Sequence, residues 1–455
     1  MKYFKIYLIL ICTLCLLAIS VYAIPRACCV MQEKQRNKEL LEIREGILCT
    51  HKRTIKLRED GKVIAEVKLS EPVVVAMADK EYPWGYYQFP SIGKAADGTL
   101  IVRWSMKEDS HKAYGAKPRG KNTMMSKDGG NTWSDLDKNY FAPSSRHRLE
   151  KRNGDVLQTY SHPAKDITKY SKFPKAIDSI KNIKFYDMSL LPDELQGIYF
   201  NYWRKATRES KNVHGRLIDS CLIRYAIDGL MPVVWWGDIK EMADGTLIAG
   251  TYPSYYADER GKVLPSGVSF YKSTDNGRNW IIQGKIPFQT FNKDTDRKEK
   301  RKANGFEEPA FEVLKDSTFM CVMRTGGASP MYMSLSKDKG CTWSIPIPFT
   351  PNGVMPLLMT LDNGVVVLVS GRPGIQVRFN FDGKGEKWTD PIDMLPFMED
   401  YKKTKDNGAA TCGYASLLKA DDNSFYMVYS DFKAKNELED VRKAILFRKI
   451  QVKKK

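Results

Sequence analysis

Six short stretches of the chain share one pattern of polar and apolar positions: a polar turn, then a run that alternates or stays apolar. They are ADGTLIVRW from Ala96, RNGDVLQTY from Arg152, ADGTLIAGT from Ala243, KDSTFMCVM from Lys315, DNGVVVLVS from Asp362 and DDNSFYMVY from Asp421. An Asp-Gly or Asn-Gly pair accepts the positive φ of a tight hairpin, and a period-2 or continuous apolar run suits a strand. Each stretch therefore predicts the turn between two antiparallel strands. Their starts are spaced by about 47 to 91 residues, the size of a four-stranded unit.

A second frame, Ser-x-Asp-x-Gly-x-x-Trp, recurs at 126–133 (SKDGGNTW), 273–280 (STDNGRNW) and 336–343 (SKDKGCTW), with a looser copy at 380–388 (NFDGKGEKW). The Asp side chain caps turn N–H groups, the Gly takes the left-handed position, and the Trp pins the turn to a neighbouring strand. Repeated four-stranded units with these turns predict an all-β fold, a six-bladed β-propeller. Residues 163–230 break the spacing and read as an insertion in the second blade, covering one face as a lid. Residues 24–75 read as a leader with the first strands, 76–455 as the propeller, and the strand around KAILFRKIQV, from Lys443, is placed to close the ring.

The first 23 residues change the picture of where the protein works. Lys2 and Lys5 precede an apolar run from Ile6 to Ala18, and Val21-Tyr22-Ala23 fits a small-residue cleavage site. This is the pattern of a secretory signal peptide and predicts a secreted or periplasmic protein; a single membrane anchor is the other reading of the run. No later segment is apolar for long enough to span a bilayer. The formal charge of +18 falls to +16 without Lys2 and Lys5. The lysines are scattered singly through loops, which favours attraction to anionic glycans over a nucleic-acid partner. Seven cysteines remain after residue 23, too sparse for a disulfide scaffold, and the five histidines lack metal-ligand spacing, so neither metal nor cofactor is expected.

Asp-box turns on a secreted six-bladed propeller resemble the sialidase (neuraminidase) superfamily, over roughly residues 75–450. The family's Arg-Ile-Pro, hairpin, Arg and Asp series is matched by YYQFPSIGKAADGTLIVRWSMKEDS, giving Pro90, Asp97-Gly98, Arg103 and Asp109, with Gln88 where the family has the first of three carboxylate-clamping arginines. In GFEEPAFEVLKDSTFMCVMRTGG, Glu308 resembles the glutamate that activates the nucleophile and Arg324 the second arginine, with Glu307 and Glu312 as competitors for Glu308. SGRPGIQVRF offers Arg372, or alternatively Arg378, as the third arginine, and TCGYASLL supplies Tyr414 as the nucleophile.

The resemblance implies a retaining glycosidase with a tyrosine nucleophile, an exception among enzymes that mostly use two carboxylates. A neutral phenol avoids the repulsion that an anionic nucleophile would meet from an acidic sugar, and a nearby glutamate takes its proton during attack. Asp109 would protonate the leaving oxygen and then activate water, with His111 as a rival in the same loop. Arg324 and Arg372 would hold the substrate's anionic group, Arg103 and Gln88 would orient the sugar, and Trp104 or Trp235 would wall the pocket. Three readings follow: an exo-sialidase-type hydrolase, a propeller glycosidase or lyase acting on a uronic acid or rhamnose-containing polysaccharide, and a glycan-binding propeller without catalysis. Gln88 favours the second. Bland alternatives accompany each residue: Tyr414 as a buried strand aromatic, Asp109 as a solvated loop charge, Arg103 as a solvent-facing strand residue.

Overall fold

The computed structural model describes residues 46–110, 113, 116–140, 148–160, 165–180, 183–204, 216–224, 230–231, 235–289, 305–326, 329–372, 374–395 and 410–455. The expected signal peptide, residues 24–45 and His111 lie outside them. Six antiparallel sheets follow one another along the chain as the blades of a propeller. Blade 1 comprises Tyr86–Lys94, Leu100–Met106, Thr123–Ser126 and Ser134–Asp135; blade 2 comprises Arg148–Glu150, Val156–Tyr160, Gly197–Arg204 and Arg216–Arg224. Blade 3 comprises Trp235–Glu241, Leu247–Ser254, Gly267–Ser273 and Ile281–Ile286; blade 4 comprises Glu307–Val313, Phe319–Arg324, Met331–Ser336 and Ile347–Thr350. Blade 5 comprises Val354–Thr360, Val366–Gly371, Ile375–Asn380 and Ile392–Asp393; blade 6 comprises Ala415–Asp421, Ser424–Lys435 and Val441–Lys454. First strands of successive blades pack on one another, forming the inner wall of the ring. The core is a series of interblade apolar layers rather than one central cluster.

The six predicted hairpins join the first and second strands of the six blades, with Gly98, Gly154, Gly245 and Gly364 at positive φ and Ser317 taking that conformation in blade 4. The four Trp-containing turns join third to fourth strands in blades 1, 3, 4 and 5. Their hydrogen bonds repeat: Ser126 Oγ donates to Asp128 (2.7 Å) and accepts from Gly130 N (2.8 Å), while Trp133 Nε1 donates to Gly130 O (3.2 Å). Ser273, Asp275, Gly277 and Trp280 repeat the set, as do Ser336, Asp338, Gly340 and Trp343. At the looser copy Asn380 replaces the serine, yet Trp388 Nε1 still donates to Gly385 O at 3.0 Å.

Ring closure is more extensive than one terminal strand. The last strand, Val441–Lys454, pairs with Val73–Met77 along one stretch and Lys62–Leu69 along another, and Arg53–Glu59 pairs in turn with the latter. Ile47–Leu48 adds a parallel strand to blade 5. Arg448, fully buried, fastens this junction by donating to the carbonyl oxygens of Ser70 (2.6 and 3.0 Å), His51 (2.7 Å) and Cys49.

Within 163–230, Gly197–Arg204 and Arg216–Arg224 are ordinary third and fourth strands of blade 2. The added element is a three-stranded sheet of Asp178–Ile180, Ile183–Asp187 and Leu230–Met231. It packs on the loop after blade 3's second strand: Val263 N donates to Asp178 Oδ2 (2.9 Å), Leu230 N donates to Tyr255 O (3.1 Å), and Phe185, Leu230 and Val263 form a small core. Among the described residues, no helix is long and apolar enough to cross a membrane.

Candidate active site

First strands begin, and second strands end, on one face of the ring, and Glu308, Arg324, Arg372, Tyr414 and Asp109 lie at or near those strand ends. Three first strands share a local device. Phe89-Pro90, Glu308-Pro309 and Met355-Pro356 each place a residue at positive φ (50°, 48° and 44°) before a proline, at a break in strand register. Proline cannot donate to a ladder, so it falls where the pairing is interrupted, and the bulge re-aims the neighbouring side chain. Left-handed conformation in bulky residues carries strain that surrounding structure must hold, and such strain concentrates at functional sites.

Glu308, 8% exposed, is aimed this way into a hydrogen-bonded cluster. The Tyr414 hydroxyl donates to Glu308 Oε1. Arg324 Nη1 donates to the same oxygen (2.9 Å) and to the Tyr414 oxygen (3.2 Å). Met355 N donates to Glu308 Oε2 at 2.8 Å. Arg324 also lies 3.7 Å from Glu307 and donates through Nε to Gly326 O (3.2 Å). Burial alone would raise the Glu308 carboxyl, but the Arg324 charge, the Tyr414 hydroxyl and the Met355 amide together hold it below the ordinary glutamate range. Burial opposes the charge of Arg324, and Glu308 more than compensates, so Arg324 stays firmly protonated. The arrangement can therefore present an ionised carboxylate as proton acceptor to a half-buried phenol.

Arg372 adjoins this cluster because two glycines let blades 5 and 6 touch. A Cβ on Gly371 would collide with Gly413 backbone, and one on Gly413 would meet Arg372 Cγ at 2.8 Å. Arg372, itself at φ 54°, lies 6.0 Å from the Trp84 ring centre. Trp84 Nε1 in turn donates to Asp109 Oδ2 at 2.8 Å. Asp109 is thus exposed on the same face, linked to Arg372 through Trp84. Arg378 lies on blade 5's third strand, nearly buried, donating to Gln376 Oε1 (2.9 Å). Of the two candidates, Arg372 is the one packed against Gly413, the residue preceding Tyr414.

Other expected residues fall elsewhere. Trp104 does not wall a pocket: it is 2% exposed, in the apolar layer between blades 1 and 6, with Tyr87 at 6.0 Å. Its in-phase neighbours Leu100, Val102 and Met106 explain the burial, since alternate strand residues share a face. The Trp235 side chain lies outside the described residues. Gln88 is fully buried. Arg103 is half-buried in mid-strand. Glu312 is committed to Lys240 (3.2 Å) and Thr360 N (3.2 Å), which removes it as a rival to Glu308.

The sequence reading missed three neighbours. The Phe89 ring meets Tyr414 edge-on at 4.9 Å. Met355 supplies its amide. Tyr252, at the upper end of blade 3's second strand, has its phenol pushed well up by burial and by the charge of Glu308. The repeated x-Pro at strand starts was a usable signal for Phe89 and Met355; nothing local marked Tyr252. Among the described residues, no cluster of three or more His, Cys, Asp or Glu side chains is arranged to hold a metal ion.

No known family's sequence profile matches the chain, and no curated protein matches it by sequence. Solved structures do. A protein of unknown function from Dyadobacter fermentans superposes with a TM-score of 0.56 at 16% identity, covering 85% of this chain and 99% of that one, a likeness of fold. A Hadza microbial sialidase matches with a TM-score of 0.46 at 14% identity, over 87% of this chain and 71% of that one. An α-L-arabinofuranosidase from Fusarium graminearum matches with a TM-score of 0.42 at 17% identity, over 82% of this chain and 94% of that one.

Proposed function

We propose that the chain is a glycan-cleaving propeller enzyme of sialidase type, acting outside the cytoplasm after loss of residues 1–23. The observation that carries this reading is the hydrogen bond from Tyr414 to Glu308, with Arg324 touching both. In this mechanism Tyr414 Oη attacks the anomeric carbon as its proton passes to Glu308 Oε1. Asp109 protonates the departing glycosidic oxygen as that bond breaks, giving a tyrosyl–sugar intermediate. Asp109, now a carboxylate, takes a proton from water as the water attacks the anomeric carbon; Tyr414 leaves and recovers its proton from Glu308. Arg324 keeps Glu308 ionised, and Arg372 packs against Gly413, the residue preceding Tyr414, where it would meet the sugar. Release of 4-methylumbelliferone from its sialic acid glycoside by wild type, lost in Tyr414→Phe, is the test. No turnover by folded wild-type protein would reject sialic acid as the substrate.

One observation favours a second substrate class. Gln88 replaces a clamping arginine and is fully buried, so a sialic acid carboxylate would lose one of three charged forks. A uronic acid or rhamnose-containing polysaccharide is the alternative, checked by screening those glycosides and looking for hydrolytic or unsaturated products.

A further inference from the structure

The cations around Tyr414 are largely spoken for: Arg324 pairs with Glu308 and lies near Glu307, and Arg372 is packed against Gly413 and near Trp84. Uncommitted positive charge lies instead on one face of blade 1. Antiparallel partners share a face, and the register pairs Gln88 with Ser105 and Ser91 with Arg103. Period-2 alternation places Arg103 and Ser105 on that face, opposite the one that buries Trp104 and Met106, and Lys107 follows directly after the strand ends at Met106, close enough to feel the charge of Arg103. Among the described residues the Arg103 guanidinium makes no ion pair or hydrogen bond, and Lys107 Nζ reaches only the Ala116 carbonyl at 3.4 Å. Glu108 and Asp109 follow directly in sequence but pair with neither cation. The Gln88 side chain, paired in register with Ser105, is fully buried, and among the described residues neither its Oε1 nor its Nε2 has a hydrogen-bond partner. A cation withdrawn from water without a counter-charge is costly, as is a buried amide without partners.

We propose that Arg103 and Lys107 form the subsite for the acidic group of the glycan, a carboxylate or a sulfate ester, with Gln88 as the polar floor behind them. The inference rests on reading Tyr414 and Glu308 as the catalytic pair, and it moves recognition of the acid from the arginines beside that pair to blade 1. Two cations that repel each other bind an oxyanion with several acceptor atoms better than either binds alone. Burial lowers the pKa of both groups, and in Lys107 the charge of Arg103 adds to the effect, so an arriving anion would relieve both. Lys107 closely precedes Asp109, which ties the subsite to the candidate acid.

The test is equilibrium binding of matched sugars to the full protein: N-acetylneuraminic acid and glucuronic acid against their methyl esters, and glucose 6-sulfate against glucose. We expect wild type to bind at least one acid about tenfold more tightly than its neutral partner. That preference should disappear in Arg103→Met/Lys107→Met and persist in Lys127→Met, which removes a charge from a turn between blade 1's third and fourth strands. Which acid is preferred tells carboxylate from sulfate. A preference that survives the double variant, or none in wild type, overturns the inference. If the double variant melts early, Lys107→Met and the charge-keeping Arg103→Lys take its place, the first weakening the preference and the second retaining part of it. Turnover by wild type and Tyr414→Phe, measured separately, reports on the catalytic reading.

Discussion

The phenol of Tyr414, at the head of blade 6, donates its hydrogen bond to the carboxylate of Glu308, at the head of blade 4. Blade 5 lies between them in the chain and contributes the Met355 amide that holds the other carboxylate oxygen. Removing the phenolic oxygen should therefore abolish attack and leave the fold alone. Tyr414→Phe is expected to lower kcat/KM by about a thousandfold or more on any glycoside the wild type cleaves, with the fold retained and only a modest loss of Tm from the lost hydrogen bond to Glu308; rates and thermal melts on the same preparation check both.

Glu308 carries a pH signature. Burial raises its carboxyl, and Arg324, Tyr414 and Met355 outweigh that, so its folded pKa is depressed. A depressed acid stabilises the fold above its unfolded pKa, roughly 4.3, and that contribution is lost as pH falls through the folded value. The acid limb of activity should thus lie below the usual glutamate range. Stability measured by denaturant between pH 3 and 7 should fall less steeply on the acid side in Glu308→Gln than in wild type.

Trp280 fills the layer between blades 2 and 3, stacked on Phe200 at 6.1 Å and donating to Gly277 O. Trp280→Ala should cost about 3 kcal/mol or more, while Ile281→Ala, at a side chain 63% exposed, should stay within about 0.5 kcal/mol. Denaturant melts of the two neighbours separate packing from mere strand position.

Arg448 donates to three backbone carbonyl oxygens at once, that of Cys49 buried and those of His51 and Ser70 partly so. Arg448→Met keeps the apolar stem and strands those acceptors, so we expect a loss on the order of 3 kcal/mol. The carbonyls of Cys49, His51 and Ser70 belong to the N-terminal segment. Hydrogen exchange should accordingly rise first at residues 46–77 in the variant.

What the sequence revealed was what is local. Gly98 or Gly364 announces its hairpin because one residue's φ decides the turn, and the Ser-Asp-Gly-Trp frame closes its own hydrogen bonds within eight positions. Glu308, Arg324 and Tyr414 are singled out through a resemblance in residues and strand ends rather than through any local rule, and the structure brings the three into one hydrogen-bonded cluster. Trp104 was legible and misassigned, because its in-phase partners Leu100, Val102 and Met106 already marked a core face. The burial of Gln88 and the placement of Tyr252 depend on how separate blades meet, which no short window encodes. The pairing of Val73–Met77 with Ala444–Phe447 spans most of the chain, and VVVAM alone says only that it suits a strand.

That pairing has a consequence for how the molecule comes into being. The edges of Lys62–Leu69 and Val73–Met77 find their partner only when residues 441–454 have been made. Until then the nascent chain carries unpaired strand edges past five finished blades, a state open to wrong partners. The sheet that follows Tyr414 is the one completed last. A shortened or stalled product would lack the sheet that follows Tyr414, so an incomplete chain would leave both the ring and the Tyr414–Glu308 pairing unsupported.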